Sequence, residues 1–447
     1  MSKPLKNSVQ LAQILIEIEK NLCDFYFQKI SLEYLLTKYH EKIYRGLNVD
    51  SSLKILLSWL LFILKGLLRK KPEARSGKIF LSKITNKHQC NALIDPLKKY
   101  YKKDAVLFTP QKEKNEVINY FFYKRVRWSN LWSAILFLNR HAYVIEKRYR
   151  EKGIQLSRLD FRFVLFIQLI AVSNWQSFFR SYTYEKIMVD FDRDNKNAAL
   201  IAVAKVQKIP SFTLVHGVIN PPFGFYPVIT DEIWVWGNYQ KELLQSFGLE
   251  EKRIKVVGNP IAKKQILKQR SKNKTTFGIA LNPMGMSINK SFLDAIFTHN
   301  ELTPQFQWII KLHPSMKKEV YLQDYENENV SLKAFDEIDN LTFFESIDAL
   351  FLGNSGIGYE ALINDIPLLI GRTSIDSRGH DYIMIEKGKC PDIYDGAEYK
   401  KLLEEILTDS TILNKLLKQE RQFLDQEYYH TIGQEAIDNV IEKLEAQ

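Results

Sequence analysis

The chain has 447 residues, 45% apolar and 26% charged, which excludes a disordered or collagen-like polymer. At roughly 150 residues per domain the length accommodates two or three domains, and 19 glycines and 14 prolines are too few for a linker-rich architecture. The net charge of +11 is unevenly placed: residues 1–150 hold 29 Lys/Arg against 12 Asp/Glu, a net of +17, whereas residues 151–447 carry a net of −6. A basic half of this kind meets a polyanion or an anionic surface, with nucleic acid and membrane headgroups as candidates, or is simply a solvated lysine-rich surface.

Residues 8–75 read as helical, with Leu11, Ile14, Leu15 and Ile18 at helical spacing. Leu53–Leu68 is the most apolar segment and is followed by Arg69, Lys70 and Lys71. Its apolar run of about ten residues is short of the roughly 18–20 that span a bilayer, which leaves a buried core helix or an interfacial helix. Cys23, Cys90 and Cys390 share no CxxC spacing, so a disulfide framework and a structural zinc site are both excluded. With a start, MSKPLKNSVQ, that lacks a signal-peptide pattern, they predict a cytoplasmic protein.

From Lys78 strands and helices alternate. KIFLS and AVLFT (105–109) read as strands around a helix at 91–100, and long aromatic helices follow near 130–149 and 159–181. The apolar run Phe163–Val172 is predicted as a core helix. Further strands are KIMVDFD (186–192), SFTLVHG (211–217), EIWVWG (232–237) and RIKVVGNP (253–260), with a helix over 195–208 and another ending at Gly248. The charged stretch 263–274 then reads as a linker. A second α/β unit carries strands TTFGIALNP (275–283), QWIIKLHP (307–314), ALFLGNS (349–355) and PLLIG (367–371), a helix over 356–364 and amphipathic helices over 397–445. The expectation is an α/β protein of two Rossmann-like domains: a helical basic extension at 1–75, one domain at 76–262 and a second at 263–447.

Four constellations fall at predicted strand ends, where open α/β sheets bind ligands. His216, in Val215-His216-Gly217, can bond a phosphate or sugar hydroxyl or act as a base. His313 is held extended by Pro314 and can donate to a phosphate oxygen. Gly353-Asn354-Ser355-Gly356 lets backbone amides approach a phosphate at a helix start, with Glu360 one turn in and able to accept from ribose hydroxyls. In Asp190-Phe191-Asp192-Arg193-Asp194, Asp192 is the better base and Asp194 the better helix cap, and the carboxylates could also hold a divalent cation. A glycine turn at 282–287 matches neither the P-loop nor the dinucleotide fingerprint, which counts against a nucleoside triphosphatase and a dehydrogenase. No zinc finger or RNP-like motif supports nucleic-acid binding.

In their order, His-Gly, WVWG, VVGNP, KLHP and GNSG–GYEA resemble the GT-B glycosyltransferases, and more narrowly the bacterial capsule and lipopolysaccharide transferases that use CMP-activated Kdo or sialic acid. The resemblance covers about 186–375. It implies that His313 and Pro314 form the HP motif and that Ser355 and Gly356 match the serine motif, which together hold the CMP moiety. CDP-glycerol glycerophosphotransferases share the two histidines. Hydrolysing UDP-GlcNAc 2-epimerases resemble the GNSG…EA stretch but open with a Gly-[ST]-Arg-x-Glu loop, where this chain reads Ser82-Lys83-Ile84-Thr85-Asn86. The acidic base motif of the sialyltransferases is represented only by Asp190-Phe191-Asp192.

The resemblance thus implies a transferase that moves an acidic sugar from a CMP-sugar donor to a cell-surface glycan or glycolipid, with the donor in the interdomain cleft. Catalytic duty falls to Asp192 or His216, donor binding to His313, Pro314, Asn354, Ser355, Gly356 and Glu360. No metal or other cofactor is expected. An anionic inner-membrane surface, contacted peripherally, would account for the basic half, and nucleic acid would not. A non-catalytic, membrane-associated assembly factor on the same fold is the alternative.

Overall fold

The computed structural model describes residues 8–33, 35–36, 40, 52–69, 74–82, 87–109, 117–119, 124–154, 156–217, 219, 225–265, 267, 274–281, 286–297, 301–313, 316–353, 357–371, 392–393, 396–409, 411–425, 429 and 431–447. They fall into two compact units, Met1–Ile261 with Gln434–Gln447, and Ala262–Gly433.

The first unit opens with α1 (Ser8–Asn21), a small hairpin of β1 (Tyr26–Phe27) and β2 (Ile30–Ser31), and α2 (Ser52–Leu67). There follow β3 (Gly77–Ser82), α3 (Lys87–Tyr101), β4 (Ala105–Thr109), β5 (Val117–Asn119), α4 (Trp128–Glu151), α5 (Arg158–Phe179), β6 (Tyr184–Val189), α6 (Asn195–Gln207), β7 (Ser211–Leu214), β8 (Glu232–Val235), α7 (Asn238–Ser246) and β9 (Ile254–Val256). The seven strands from β3 onward form one sheet in the order β5-β4-β3-β6-β7-β8-β9, every neighbouring pair parallel. Strands such as Ile187–Val189 and Phe212–Leu214 are buried along their length, as a parallel sheet covered on both faces requires. Phe80, Phe108, Trp175, Phe178 and Tyr184 pack edge to face between this sheet and α5, with Trp175 at 5.7 Å from Phe80 and 5.2 Å from Phe108.

The 1–75 segment is not a separate appendage. Leu15 and Ile18 of α1, with Leu22 just after it, share one hydrophobic cluster with Phe80 and Trp175. A buried polar chain ties it further. Glu19, fully enclosed, lies 3.0 Å from His40 Nδ1 and 3.4 Å from Arg193, and His40 Nε2 meets the Tyr149 hydroxyl at 2.5 Å. These charges cannot be solvated, so the helix that carries Glu19 has to dock where Arg193 and His40 are.

The second unit contains β10 (Thr276–Ala280), α8 (Met286–Phe297), β11 (Gln307–Lys311), α9 (Glu319–Tyr325), β12 (Val330–Lys333), α10 (Asn340–Ser346), β13 (Ala349–Leu352), α11 (Ile357–Ile363), β14 (Leu368–Gly371), β15 (Asp392–Ile393), α12 (Gly396–Thr408) and α13 (Ile412–Phe423). Its sheet order is β12-β11-β10-β13-β14-β15, again all parallel. Gly371 is required here, because a Cβ would lie 1.8 Å from the Tyr399 hydroxyl and 2.3 Å from the Phe292 ring. The final helix, α14 (Gly433–Glu445), was expected with this domain but packs on the first unit. Val440 and Leu444 join Ile79, Leu81 and Trp234, and buried Lys186 donates to the Leu444 carbonyl at 2.6 Å.

Each of the ten runs read as strands is a strand, and the apolar run in α5 is core, with Leu165, Phe166, Leu169 and Ile170 all buried. The β1–β2 hairpin interrupts the 8–75 segment expected to be helical. β5, β12 and β15 were not anticipated either; these three sit at sheet edges, where short or alternating segments suffice.

Glu420 of α13 is buried, and its Oε2 accepts from the Leu368 amide at 2.9 Å. Its Oε1 has no hydrogen-bond partner among the described residues, and burial pushes the carboxyl well above its ordinary value of 4.5. The folded chain holds this proton more tightly than the unfolded chain, so stability is lost as pH rises from the unfolded carboxylate range through the folded one. Glu420→Gln keeps an acceptor and buries no charge. Thermal melts should show the variant more stable than wild type at about pH 8, with the gap closing toward about pH 4.

Candidate functional site

Both sheets run outward in two directions from their first strand, so the crossovers diverge between β3 and β6 in one and between β10 and β13 in the other. The C-terminal edge at such a switch point is where open α/β sheets leave a crevice.

In the second unit Ala280 is in register with Lys311 of β11 and with Leu352 of β13, so residues 281, 312 and 353 leave the sheet side by side. Residues 282–285 and 354–356 follow Leu281 and Gly353 in the sequence. Pro314, Asn354, Ser355 and Gly356 lie outside the described residues, as does the turn at 282–285. His313 follows β11 at this edge, partly buried, and burial holds its imidazole below the ordinary 6.5. Among the described residues, a Cβ added at Gly353 would meet nothing nearer than the Gly371 carbonyl at 4.0 Å.

Glu360 lies in the first turn of α11, and its carboxylate accepts from Asn340 Nδ2 at 2.9 Å. Burial raises its pKa, opposed by the Asn340 bond and by the charge of Lys311. Lys311, at the end of β11, is itself buried; its ammonium donates to the Ile338 carbonyl and lies 5.3 Å from the Phe335 ring centroid. Burial lowers its pKa while Asp339 and Glu360 work against that. Asp339 caps α10 by accepting from Thr342 N at 2.7 Å, which fixes the helix start that carries Asn340. Lys311 and Asn340 were not anticipated. The Asp-Asn-Leu-Thr sequence at 339–342 signals the cap, but nothing in it announces the pairing with Glu360.

In the first unit the ends of β6 and β7 bring His216 to Asp190. His216 Nδ1 lies 2.6 Å from the Asp190 carbonyl, and its ring stands edge-on to Phe225 and Phe191 at 5.2 and 6.2 Å. A carbonyl only accepts, so Nδ1 carries the hydrogen and Nε2 of the neutral ring keeps the lone pair. The turn is held by Trp236, whose Nε1 donates to the Val215 carbonyl at 3.0 Å, and by Gln240, which accepts from Trp236 N at 2.8 Å. Asn197, in the first turn of α6, accepts from Ser82 Oγ and donates to the Phe191 carbonyl, both at 2.6 Å. Asp194 caps α6 as expected, accepting from Lys196 N at 2.9 Å.

Asp192 is not placed as an accessible base. It is fully enclosed, and its Oδ2 accepts from the Ile229 amide at 2.6 Å and the Thr230 amide at 3.4 Å. Burial pushes its pKa up while these bonds pull it down. The carboxylate anchors the 229–230 segment below the His216 turn, and strand alternation alone could not distinguish that task from catalysis.

No family model matches the chain, and no curated protein matches it by sequence. Solved structures do. A UDP-GlcNAc 2-epimerase from Neisseria meningitidis bound to UDP-GlcNAc is 13% identical, with 83% of this chain and 100% of that chain covered at a TM-score of 0.50. The S. aureus MnaA–UDP structure is 13% identical over 81% of this chain and 95% of that one, at 0.51. Acinetobacter baumannii MurG is 10% identical over 83% and 100%, at 0.50. The two-sheet α/β fold is therefore shared with these proteins, consistent with two Rossmann-like domains.

Asp192→Ala should cost about 1–3 kcal/mol by stranding two buried amides, and Asp192→Asn clearly less, since its amide oxygen still accepts. Denaturant melts measure both. If Asp192 anchors rather than reacts, the Asn variant also retains turnover.

Proposed function

We propose that the chain is an enzyme acting on a nucleotide sugar, and specifically a glycosyltransferase that takes an acidic sugar from a CMP-activated donor. The observation that carries this reading is the edge of the second sheet. There His313 follows β11, and the Gly353 turn and Glu360 follow β13, the two parallel strands that flank β10. A cleft edge with an imidazole, a glycine turn and a carboxylate one helical turn beyond suits a phosphate followed by a ribose. The fold shared with structures named for UDP-GlcNAc and UDP complexes supports a nucleotide sugar as the ligand class.

In this reading His313, with Ser355 and the amides near Gly356, takes the donor phosphate, and Glu360 accepts from ribose hydroxyls. His216 Nε2 removes the proton from an acceptor hydroxyl on a glycan or glycolipid. The oxygen so released attacks the anomeric carbon. The bond from that carbon to the phosphate oxygen breaks, and its electron pair leaves with the nucleotide, whose charge His313 stabilises. No metal enters the step, so turnover is expected to persist in EDTA; its loss there would refute this part of the scheme.

The same-fold epimerases keep a second reading open, nucleotide-sugar epimerisation, favoured by their shared coverage of the chain. A thermal-shift screen with CMP, CDP, UDP and GDP separates the two. A shift with CMP supports the transferase, and a shift with UDP alone moves the assignment to a UDP-sugar enzyme. No shift with any of them refutes the nucleotide site and favours a non-catalytic assembly factor. His313→Gln and Glu360→Gln should each weaken the stabilising nucleotide by about tenfold or more, the loss of one charge-assisted bond.

A pH dependence follows. Burial keeps unliganded His313 neutral below its ordinary 6.5, whereas a bound phosphate favours the imidazolium. Nucleotide affinity should therefore rise as pH falls through that range, and His313→Gln should flatten the wild-type excess in a calorimetric titration.

A further inference from the structure

We propose that the first unit carries a membrane-docking surface, made by the exposed leucine face of α2 and the first turns of α4, whose occupant is a bilayer containing anionic lipid. This does not depend on the nucleotide reading, and its test needs no substrate.

The surface is an unusual division of an apolar helix. Ile55 of α2 is buried, Trp59 stacks on Phe166 of α5 at 4.8 Å, and Phe62 packs edge-on to the same ring. The opposite face should then be polar, yet Leu56, Leu57, Leu60, Leu61 and Leu64 are each 49–54% exposed and Leu68 is 84% exposed. Ser58, the one polar side chain within the run, turns its hydroxyl back onto the Lys54 carbonyl at 2.8 Å. A soluble helix gains nothing by exposing five leucines in a row on one face.

A second apolar stripe starts where α2 ends. The Gly66 carbonyl accepts from Val126 N at 3.0 Å, and Arg125 Nε donates to the Arg69 carbonyl at 3.1 Å. A Cβ on Gly66 would lie 2.4 Å from the Val126 side chain, so only glycine allows this approach. Two residues later α4 begins, and Trp128, Trp132 and Leu136, spaced four apart on one face, are 60–65% exposed. Tryptophan is the residue that favours the boundary between headgroups and hydrocarbon.

Charge complementarity selects the occupant. Residues 51–72 contain Lys54, Lys65, Arg69, Lys70 and Lys71 and no acid, and residues 117–145 contain Lys124, Arg125, Arg127 and Arg140 and no acid. The cations crowd one another as well: Arg69, Lys196 and Lys65 all push the Lys124 ammonium toward its neutral form, in addition to its burial. Leucines and tryptophans in segments that carry only one sign of charge fit a lipid surface with negative headgroups. No helix among the described residues is long and apolar enough to cross a membrane, so the contact lies on the bilayer.

The test is co-sedimentation of the full chain with phosphatidylcholine vesicles and with vesicles containing 30% phosphatidylglycerol. Binding is expected to the anionic vesicles only and to weaken at high salt. Lys65→Gln and Arg69→Gln should each reduce it by roughly fivefold, the contribution of one interfacial cation. Leu60→Ser/Leu64→Ser should reduce it at least tenfold with an unchanged thermal melt. If that variant fails to fold, brominated lipid decides on the unaltered protein: Trp175, Trp234, Trp236 and Trp308 are buried and Trp59 is half-buried, so quenching reports chiefly Trp128 and Trp132 and should fall sharply in Trp128→Phe/Trp132→Phe. Absence of binding, equal binding to neutral vesicles or absence of quenching overturns the proposal. So does a dimer that forms without lipid and dissolves in the leucine variant, since a second copy would then cover the face.

Discussion

Parallel strand pairing is the constraint on which the other features depend. A strand that must lie parallel to its predecessor cannot be reached by a tight turn; the chain has to cross back over a face of the sheet, usually as a helix. Both faces are thereby covered, the strands become apolar throughout, and every strand end of one polarity gathers on one edge. Because each sheet grows first to one side of its opening strand and then to the other, two neighbouring connections leave that edge in opposite directions. His216 is on such an edge of the first sheet, and His313, the Gly353 turn and Glu360 are on that of the second, each placed by strand order rather than by any local sequence rule.

This explains which parts of the fold were legible. Central strands have to be continuous runs of Val, Ile, Leu, Phe and Trp, so KIMVD, SFTLV and ALFL are recognisable without a partner. Edge strands β5 and β15, at three and two residues, carry no such signature, and β12 alternates because it is flanked on one side only. Membership of a unit was the least legible property. The amphipathic pattern of α1 and α14 says that each has an apolar face but not whose core that face enters. Glu19 and Lys186 decide it through partners more than 170 residues away.

Site chemistry was legible as residue type and place, not as role. Two carboxylates and a histidine at neighbouring strand ends look equivalent on paper. Backbone amides make the distinction: those of Ile229 and Thr230 engage Asp192, whereas the Asp190 carbonyl orients His216 with a ring nitrogen left available. Glu360 was found by its spacing from a glycine turn, but its pairing with Asn340 across 20 residues had no sequence signal. The charge asymmetry likewise gained an address, since acid-free residues 51–72 and 117–145 adjoin the exposed leucines and tryptophans rather than being dispersed over the basic half.

The return of α14 to the first unit has a consequence for how the protein is made. Residues 262–433 form an uninterrupted stretch and can complete their own core as soon as that stretch has left the ribosome. The first unit, although synthesised earlier, lacks Val440 and Leu444 against Ile79 and Trp234 until residues 434–447 have been made. That face of its sheet is therefore covered only after the whole of the second unit has been translated.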